Sequence, residues 1–279
     1  MQIEQQPPRF FNRLKVRDGD RTVLALNLGG SAKDLFLMRP CIHPFYTPDG
    51  YPVTEMGAHN FPHHKGVWIG HAKVNEVNFF HDLPDAGWIV PIEIHTDSAD
   101  ASASIRLALE WRDQRGTVIA TETRSHVVHR VHHAHVLDIV TTLHASHGSL
   151  ELGVDNHAWA GCRTIDALDH DDGGQMLDSD GRHSPDTINS NPVRWIDNSG
   201  TIGEHPCGIA LMAHPDSSPT PVFARFYGMS LLNPTMFEPL HIDDGTSWSF
   251  GARVVAHDGP PSATEMNDWW TAGGHGDHE

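Results

Sequence analysis

The sequence predicts an all-β protein, a large antiparallel β-sandwich with few short helices. Apolar and polar residues alternate through most of the chain, which is the pattern of strands that are buried on one face. Glycine and proline, 25 and 19 of the 279 residues, separate these segments and favour turns. Helical periodicity is scarce. Many short strands joined by turns are typical of a sandwich or a barrel.

The strands are predicted in chain order from this alternation. Residues 104–111 and 117–123 flank a turn that contains Gly116, which predicts a hairpin. The other predicted strands are 22–27, 74–78, 126–130, 136–143, 149–154, 208–213, 222–227 and 248–256. Ser262, followed three residues later by Glu265, forms a capping-box pattern and predicts a short helix over 266–270.

The composition limits the classes of partner and compartment. We expect one domain over residues 1–279, with a disordered tail from about residue 273. The formal charge is -17, which argues against nucleic acid and anionic membranes because both need a basic surface. The expected partner is instead a small carbohydrate substrate, and the composition is also compatible with a homo-oligomer. The chain has three separated cysteines, no signal-peptide pattern and no apolar run of roughly 18 residues, so a cytoplasmic location is predicted.

Histidines are concentrated between residues 41 and 80, in a segment rich in glycine and proline. Imidazole is the commonest metal ligand in proteins and titrates near neutral pH. His43, His63, His64 and His71 are therefore predicted to bind a divalent metal or the substrate, with His64 and His71 also catalytic. Because His63 and His64 face opposite ways in an extended chain, a site shared with His71 needs a bulge at a glycine such as Gly66.

A second polar segment follows the strand predicted at 149–154. Asp155 and His157 share one face of an extended chain, so the carboxylate can orient the imidazole for acid–base catalysis. Trp159 can offer its ring to a sugar, and Arg163 adds a cationic donor for substrate. The alternative for this segment is a turn closed by an Asx hydrogen bond.

Two more segments contribute predicted substrate-binding residues. Arg225 and Tyr227 share a strand face, where the guanidinium can hold an oxyanion or a carboxylate; a structural salt bridge is the alternative. Asn75 can bind a hydroxyl from strand 74–78, or lie on a polar strand edge. No phosphate-binding loop or dinucleotide motif occurs, so no nucleotide cofactor is predicted.

Five blocks of sequence resemble the methane oxygenase PmoA family of bacterial proteins. In order they are HPFYTPDGYPVT, FPHHKGVWIGHAKVN, WIDNSG, GIALMAHPDSSPTPVFARFYGMSLLNP and ARVVAHDG. The family name is not taken literally, because the methane monooxygenase subunit is a membrane protein of several helices and this chain has no spanning segment. The resemblance implies a single β-sandwich akin to the galactose-mutarotase supersandwich, in a sugar-catabolic setting. Residues 153–161 depart from the family by placing His157 and Trp159 where a Lys-Glu pair is expected, while Arg163 remains.

Three functions are open at this point. The leading hypothesis is a carbohydrate-active enzyme that cleaves a glycosidic or other C–O bond of a sugar, such as a keto-sugar, by hydrolysis or elimination in a histidine-rich pocket with a candidate divalent metal. The second is a sugar mutarotase or epimerase that uses no metal. The third is a sugar-binding module without catalysis, because fold alone cannot decide among these functions.

Overall fold

The computed structural model describes residues 1–6, 12–29 and 37–272. The predicted tail from about residue 273 therefore lies outside the described residues. The regular secondary structure of the described residues consists mainly of antiparallel strands with two α-helices, which confirms the all-β class. No helix in these ranges is long and apolar enough to cross a membrane.

The strands and helices are labelled in chain order. The strands are β1 Gln2–Gln6, β2 Arg13–Asp18, β3 Arg21–Asn27, β4 Cys41–Phe45, β5 Met56–Ala58, β6 Phe61–Lys65, β7 Val67–His71, β8 Trp88–Ser98, β9 Ser102–Arg112, β10 Val118–Val131, β11 Ala134–His144, β12 Leu150–Leu152, β13 Ala158–Arg163, β14 Gln175–Asp178, β15 Pro192–Val193, β16 Trp195–Ile202, β17 His205–Ala213, β18 Thr220–Arg225, β19 Met229–Leu232, β20 Leu240–Ile242 and β21 Ser247–Asp258. The α-helices are α1 Pro185–Ile188 and α2 Ala263–Thr271.

Two large sheets pack face to face. The first has nine strands in the order β1-β2-β3-β4-β7-β13-β19-β18-β15, and the second has eight in the order β14-β16-β17-β21-β11-β10-β9-β8. Alternate residues of each sheet point inward and form one buried apolar cluster, to which Leu24 and Ile69 of the first sheet and Leu107 and Val254 of the second belong. Each such side chain stabilises the fold by roughly 1.5–3 kcal/mol relative to exposure.

Two local predictions differ from the structure. Residues 117–123 and 126–130 are not separate strands, because β10 runs unbroken from Val118 to Val131 and pairs along its length with β11. Residues 74–78 form a tight turn rather than a strand. Asn75 and Glu76 adopt positive φ angles of 46° and 63°, a conformation that asparagine tolerates better than most residues and that a strand excludes.

The outer faces of the two sheets are covered differently. Helix α2 lies on the outer face of the eight-stranded sheet, where Met266 packs with Trp195, Met212 and Val255. The outer face of the nine-stranded sheet carries a separate apolar cluster that includes Trp68 of β7. The small hairpin of β5 and β6 lies beside this second face.

Candidate functional site

An aromatic floor covers the middle of the nine-stranded sheet on its outer face. Trp68, Phe80, Phe223 and Leu231 belong to the same buried cluster there. Gly161 makes room for it, because a Cβ at this position would meet the Trp68 ring at 2.6 Å. The floor therefore depends on a glycine in β13 that lets the indole lie flat on the sheet.

Four histidines form a continuous cluster on this floor, which we call the imidazole cluster: His64, His63, His81 and His157. Neighbouring ring centroids are 4.5 Å apart for His63 and His64, 4.8 Å for His63 and His81, and 4.7 Å for His81 and His157. Three separate segments supply them, namely β6, the loop after β7 and the residue before β13. Tertiary folding rather than local spacing brings them together.

Other side chains extend the imidazole cluster at its two ends. Phe61 stacks on His64 at 4.9 Å and on Tyr227 at 4.4 Å. The guanidinium of Arg225 lies 3.6 Å from the ring centroid of Phe223. The Phe223 ring in turn lies 5.6 Å from that of His157. The Phe80 ring of the floor lies 5.1 Å from the same imidazole.

Gly66 creates the break that this arrangement needs. Its φ is +73°, and a Cβ there would meet the Ile42 carbonyl oxygen at 2.2 Å. Only glycine fits such a position without strain. Strand β6 therefore ends at Lys65 and β7 begins at Val67, and the two strands belong to different sheets. The break was expected to let His71 share a site with His64, but both ring nitrogens of His71 have other contacts.

Asp155 orients His157. The Nδ1 atom of His157 lies 3.0 Å from Oδ1 of Asp155, and the His157 backbone N–H donates to the same oxygen at 2.9 Å. The hydrogen bond from the imidazole holds the pKa of the Asp155 carboxyl well below its usual range. Nδ1 of His157 therefore carries the proton, which leaves the Nε2 lone pair available as a base.

Asn78 sets the opposite tautomer in His81. The amide oxygen of Asn78 accepts from the backbone N–H groups of Phe80 and His81 at 2.9 Å each, so its NH₂ group faces Nδ1 of His81 at 3.1 Å. Nδ1 of His81 therefore accepts, and Nε2 carries the hydrogen. A base on His157 and an N–H donor on His81 thus stand side by side.

Burial keeps the rest of the cluster uncharged. Burial and the neighbouring charged groups lower the pKa of His63 to about 3, that of His64 to about 2 and that of His81 to about 4. His64 is 1% exposed, and among the described residues its Nδ1 has no hydrogen-bond partner. Since a buried polar atom normally has a partner, this nitrogen is a candidate contact for a bound molecule.

A buried ionic network holds the cluster from below. Arg39 donates to the Asp82 carboxylate at 2.8 Å and to the backbone carbonyl of His63 at 2.6 Å. Lys65 forms an ion pair with the same carboxylate at 2.9 Å. Because these side chains are at most 6% exposed, the network fixes the position of β6 and of the loop that carries His81.

Arg163 and Tyr227 are linked to each other. Arg163 pairs with Glu55 at 2.9 Å and with Asp166 at 3.5 Å, and it donates to the Tyr227 carbonyl. Its guanidinium also lies 5.1 Å from the Tyr227 ring. The cationic charge of Arg163 is therefore neutralised, and its effect on the site is to position Tyr227.

Two of the predicted site histidines have other roles. His71 is fully buried, its Nδ1 accepts from the Lys73 backbone N–H at 2.9 Å, and its Nε2 lies 2.8 Å from the Thr235 hydroxyl. Both nitrogens are occupied, so His71 connects β7 to the loop after β19 rather than facing a ligand. His43 lies on β4 and contacts the hydroxyl of Thr54 at 3.1 Å, outside the imidazole cluster.

Two predicted substrate-binding residues also lie outside the cluster. Trp159 is fully buried in the sandwich core, 5.6 Å from Trp111 with nearly parallel rings, so it cannot meet a sugar. Asn75 uses its amide to hold a turn, donating to the Ser149 carbonyl and accepting from the Glu151 backbone N–H. The predicted residues that the structure does bring together are His63, His64, Asp155, His157, Arg225 and Tyr227.

The four histidines predicted to share a metal do not form one ligand set. No three of His43, His63, His64 and His71 place ring nitrogens within 4.8 Å of one another. Within the described ranges, two other groups meet that distance: Asp49 with His205 and Asp258, and Asp166 with Asp169 and Asp172. Both lie away from the imidazole cluster.

His81, Phe61 and Phe80 complete the site but did not stand out in the sequence. The signal that could have found His81 is the spacing in Asn78-Phe79-Phe80-His81, where an asparagine can cap the backbone N–H groups two and three residues later. Arg39 had no such signal, because it reaches the site only through tertiary contacts.

Solved structures with low sequence identity resemble the fold. A galactose mutarotase-like protein from Lactobacillus casei is 9% identical, with 92% of this chain and 100% of that chain covered and a TM-score of 0.43. An α-galactosidase from Lactobacillus brevis is 9% identical, with 95% and 42% covered and a TM-score of 0.48. A heparan sulfate lyase HepC mutant from Pedobacter heparinus is 7% identical, with 94% and 37% covered and a TM-score of 0.45.

Comparison with family models corrects the sequence analysis. No curated protein matches the sequence. The resemblance to the methane oxygenase PmoA family is wrong, because the model that matches is that of a different family. That match extends over residues 13–271, and the chain accordingly belongs to the family of unknown function DUF6807.

Proposed function

We propose that this protein is a carbohydrate-active enzyme that cleaves a C–O bond of a sugar by elimination, with His157 as the base. The observation that carries the proposal is a pair of imidazoles whose partners engage Nδ1 in opposite ways, His157 facing the Asp155 carboxylate and His81 facing the NH₂ group of Asn78. Aromatic side chains with a few convergent polar groups are typical of small-molecule sites. Phe61 and Tyr227 supply such rings beside the cluster.

The proton transfers follow from the tautomers. Nε2 of His157 takes the proton from the carbon next to a carbonyl, and the C–H electron pair moves onto the carbonyl oxygen to give an enolate. The enolate then re-forms the carbonyl and makes a C=C bond to the neighbouring carbon as the C–O bond on that carbon breaks. Asp155 stabilises the imidazolium that results. The Nε2–H of neutral His81 donates a hydrogen bond to the enolate oxygen, which neutral imidazole can do without losing its proton. The imidazolium of His157 then returns its proton to the departing oxygen.

Elimination fits these residues better than hydrolysis by two carboxylates. Glycosidases usually place two carboxyl groups on either side of the scissile bond. Here Asp155 is engaged by His157 and Lys73, Glu55 by Arg163, and Asp82 by Arg39. The cluster itself presents imidazoles. The sequence-based prediction of a divalent metal stays a prediction, and this mechanism does not depend on it.

The test is turnover of a panel of keto-sugars and keto-glycosides in D₂O, followed by proton NMR. We expect an unsaturated sugar, release of the leaving alcohol and loss of the signal of the abstracted proton. The His157→Gln variant should be inactive. A matched control is His205→Gln, whose imidazole lies at the same 3.0 Å from an aspartate, Asp258, but outside the cluster, and it should keep full activity.

Other outcomes would identify the alternative functions. Faster anomer exchange without an unsaturated product would favour a mutarotase, and sugar binding without any chemical change would favour a binding module. Activity that disappears in chelator and returns with a divalent metal would restore the metal hypothesis. Equal activity of wild type and His157→Gln on any substrate would remove His157 from its proposed role.

A further inference from the structure

Arg225 differs from the other arginine beside the cluster. Arg163 has two carboxylate partners, Glu55 and Asp166. Arg225 has none within the described part of the chain, although it is half-buried. Its Nη1 donates to the side-chain oxygen of Asn189 at 3.3 Å and to the backbone carbonyl of Ala224 at 3.0 Å.

The contacts of Arg225 fix its direction without cancelling its charge. The amide of Asn189, the Ala224 carbonyl and the Phe223 ring are all neutral, and the ring lies against the guanidinium carbon. Arg225 lies beside the imidazole cluster, because the Phe223 ring that it contacts is itself 5.6 Å from the ring of His157. A half-buried guanidinium that is held in one direction and has no carboxylate partner in the described residues is suited to bind an anion.

We infer that the substrate is an acidic sugar whose carboxylate binds Arg225 while its ring lies over the imidazole cluster. This rests on the proposed function and specifies its substrate class. The remaining guanidinium N–H groups form a planar fork that matches a carboxylate. The net charge of the chain is -17, so most of its surface repels acidic ligands. The positive charge of Arg225 would direct such ligands to this one site.

A carboxylate fits better than a phosphate. Phosphate sites commonly combine several cations, a helix N-terminus or a nest of backbone N–H groups. The two arginines near the imidazole cluster are already engaged, Arg163 by Glu55 and Asp166 and Arg39 by Asp82. A single planar guanidinium suits a monoanion of the same shape.

The experiment is calorimetric titration of the full chain with D-glucuronate, D-galacturonate and D-gluconate, each beside its uncharged amide, and with glucose 6-phosphate. We expect at least one acid to bind about tenfold or more tightly than its amide, since hydrogen bonds to charged partners contribute about 1.5–3 kcal/mol. Arg225→Gln should remove that preference. Arg225→Lys should keep part of it, because the charge stays and the fork is lost.

Arg130→Gln is the matched control. It changes the net charge by the same amount, but Arg130 lies at the end of β10, where it is exposed and pairs with Asp18. It should keep the full preference for the acid. Equal binding of acid and amide, a preference that survives in Arg225→Gln, tighter binding of the sugar phosphate, or no binding of any acid would each overturn the inference.

The same titrations separate this inference from the proposed function. Neutral sugars that bind and are turned over without preference for the acids would leave the proposed enzyme standing and remove the acidic substrate class. Acids that bind through Arg225 but are never converted would keep the recognition role of Arg225 and remove the catalytic proposal.

Discussion

Two histidine–aspartate pairs with the same nitrogen–oxygen distance of 3.0 Å lie on opposite outer faces of the sandwich: His157 with Asp155, and His257 with Asp197. The side chains of the first pair are 34% and 19% exposed, and those of the second 0% and 5%. His257 also uses its other ring nitrogen, Nδ1, which lies 2.9 Å from the Gly259 carbonyl. The ring of His157 makes no second hydrogen bond in the described part of the chain.

The difference separates a structural pair from one that can do chemistry. Helix α2 covers His257, whose ring lies 5.7 Å from that of Trp269, so no ligand can reach it. His157 keeps a free nitrogen beside three other imidazoles. Contact distance alone therefore says little about function; the use of the second nitrogen and the access to it decide.

The largest expected effect comes from removing the histidine of each pair, because one variant should lose turnover and the other should lose stability. His157→Ala should lower turnover by about 10²–10⁴-fold, the usual contribution of a general base, with little change in the free energy of unfolding. His257→Ala should leave turnover of the folded protein unchanged and destabilise it by about 3–5 kcal/mol, because Asp197 stays buried without its partner. Urea unfolding and rate measurements on both variants check this. A stability loss in His157→Ala together with a turnover loss in His257→Ala would contradict the comparison.

Asp155→Asn should lower turnover by about a hundredfold while the fold stays intact. An asparagine whose NH₂ group faces the ring would make Nδ1 the acceptor and move the hydrogen to Nε2, which removes the base. The matched variant Asp258→Asn, beside His205, should keep its rate. A full-rate Asp155→Asn enzyme would show that the carboxylate does not set the tautomer.

Two buried histidines should give pH dependences of opposite sign. Burial, with Arg124 nearby, lowers the pKa of His126 to about 3, so between the unfolded value of about 6.5 and that pH only the unfolded chain takes the proton. As the pH is lowered through this window, His126 should therefore decrease the free energy of unfolding by about 1.4 kcal/mol per pH unit. His126→Leu should make the fall shallower over that window.

His257 should behave in the reverse way. Burial lowers its pKa, but the Asp197 carboxylate and the Gly259 carbonyl together raise it above the ordinary value. The stability it contributes is present below the unfolded pKa of about 6.5 and is lost as the pH rises through the folded value. Unfolding from pH 5 to 9 should show the gap between wild type and His257→Gln narrowing as the pH rises; a constant gap would contradict the ion pair.

The sandwich was predictable because strand alternation is a local signal. The hairpin of β9 and β10 and helix α2 appear where their turn and capping residues indicated. The turn at Asn75 and Glu76 was missed, since its residues alternate like a strand while the backbone requires positive φ.

The candidate site was predictable only where its residues are close in sequence. His157 and Asp155 stand two residues apart, and their pairing follows from extended geometry. His71 lies near His64 in sequence and was grouped with it, yet it ends its strand on another set of contacts, with Thr235. His81 and Arg39 reach the site only because distant segments fold together. No local spacing in the sequence indicates such contacts.

The smallest expected effect concerns helix α2, which covers His257 on the outer face of the eight-stranded sheet. Ser262 accepts from the Glu265 backbone N–H at 3.2 Å, and the Glu265 side chain accepts from the Ser262 backbone N–H at 2.9 Å. Ser262→Ala removes one of these two bonds and should cost about 1 kcal/mol of unfolding free energy. Turnover should not change, because α2 packs on Trp195 and Val255 of the eight-stranded sheet rather than on the imidazole cluster. Ser98→Ala, at an exposed end of β8, is the control and should be neutral. A lower rate in Ser262→Ala at unchanged stability would mean that the two outer faces of the sandwich are coupled. The face that carries α2 could then no longer be treated as independent of the face that carries the imidazole cluster.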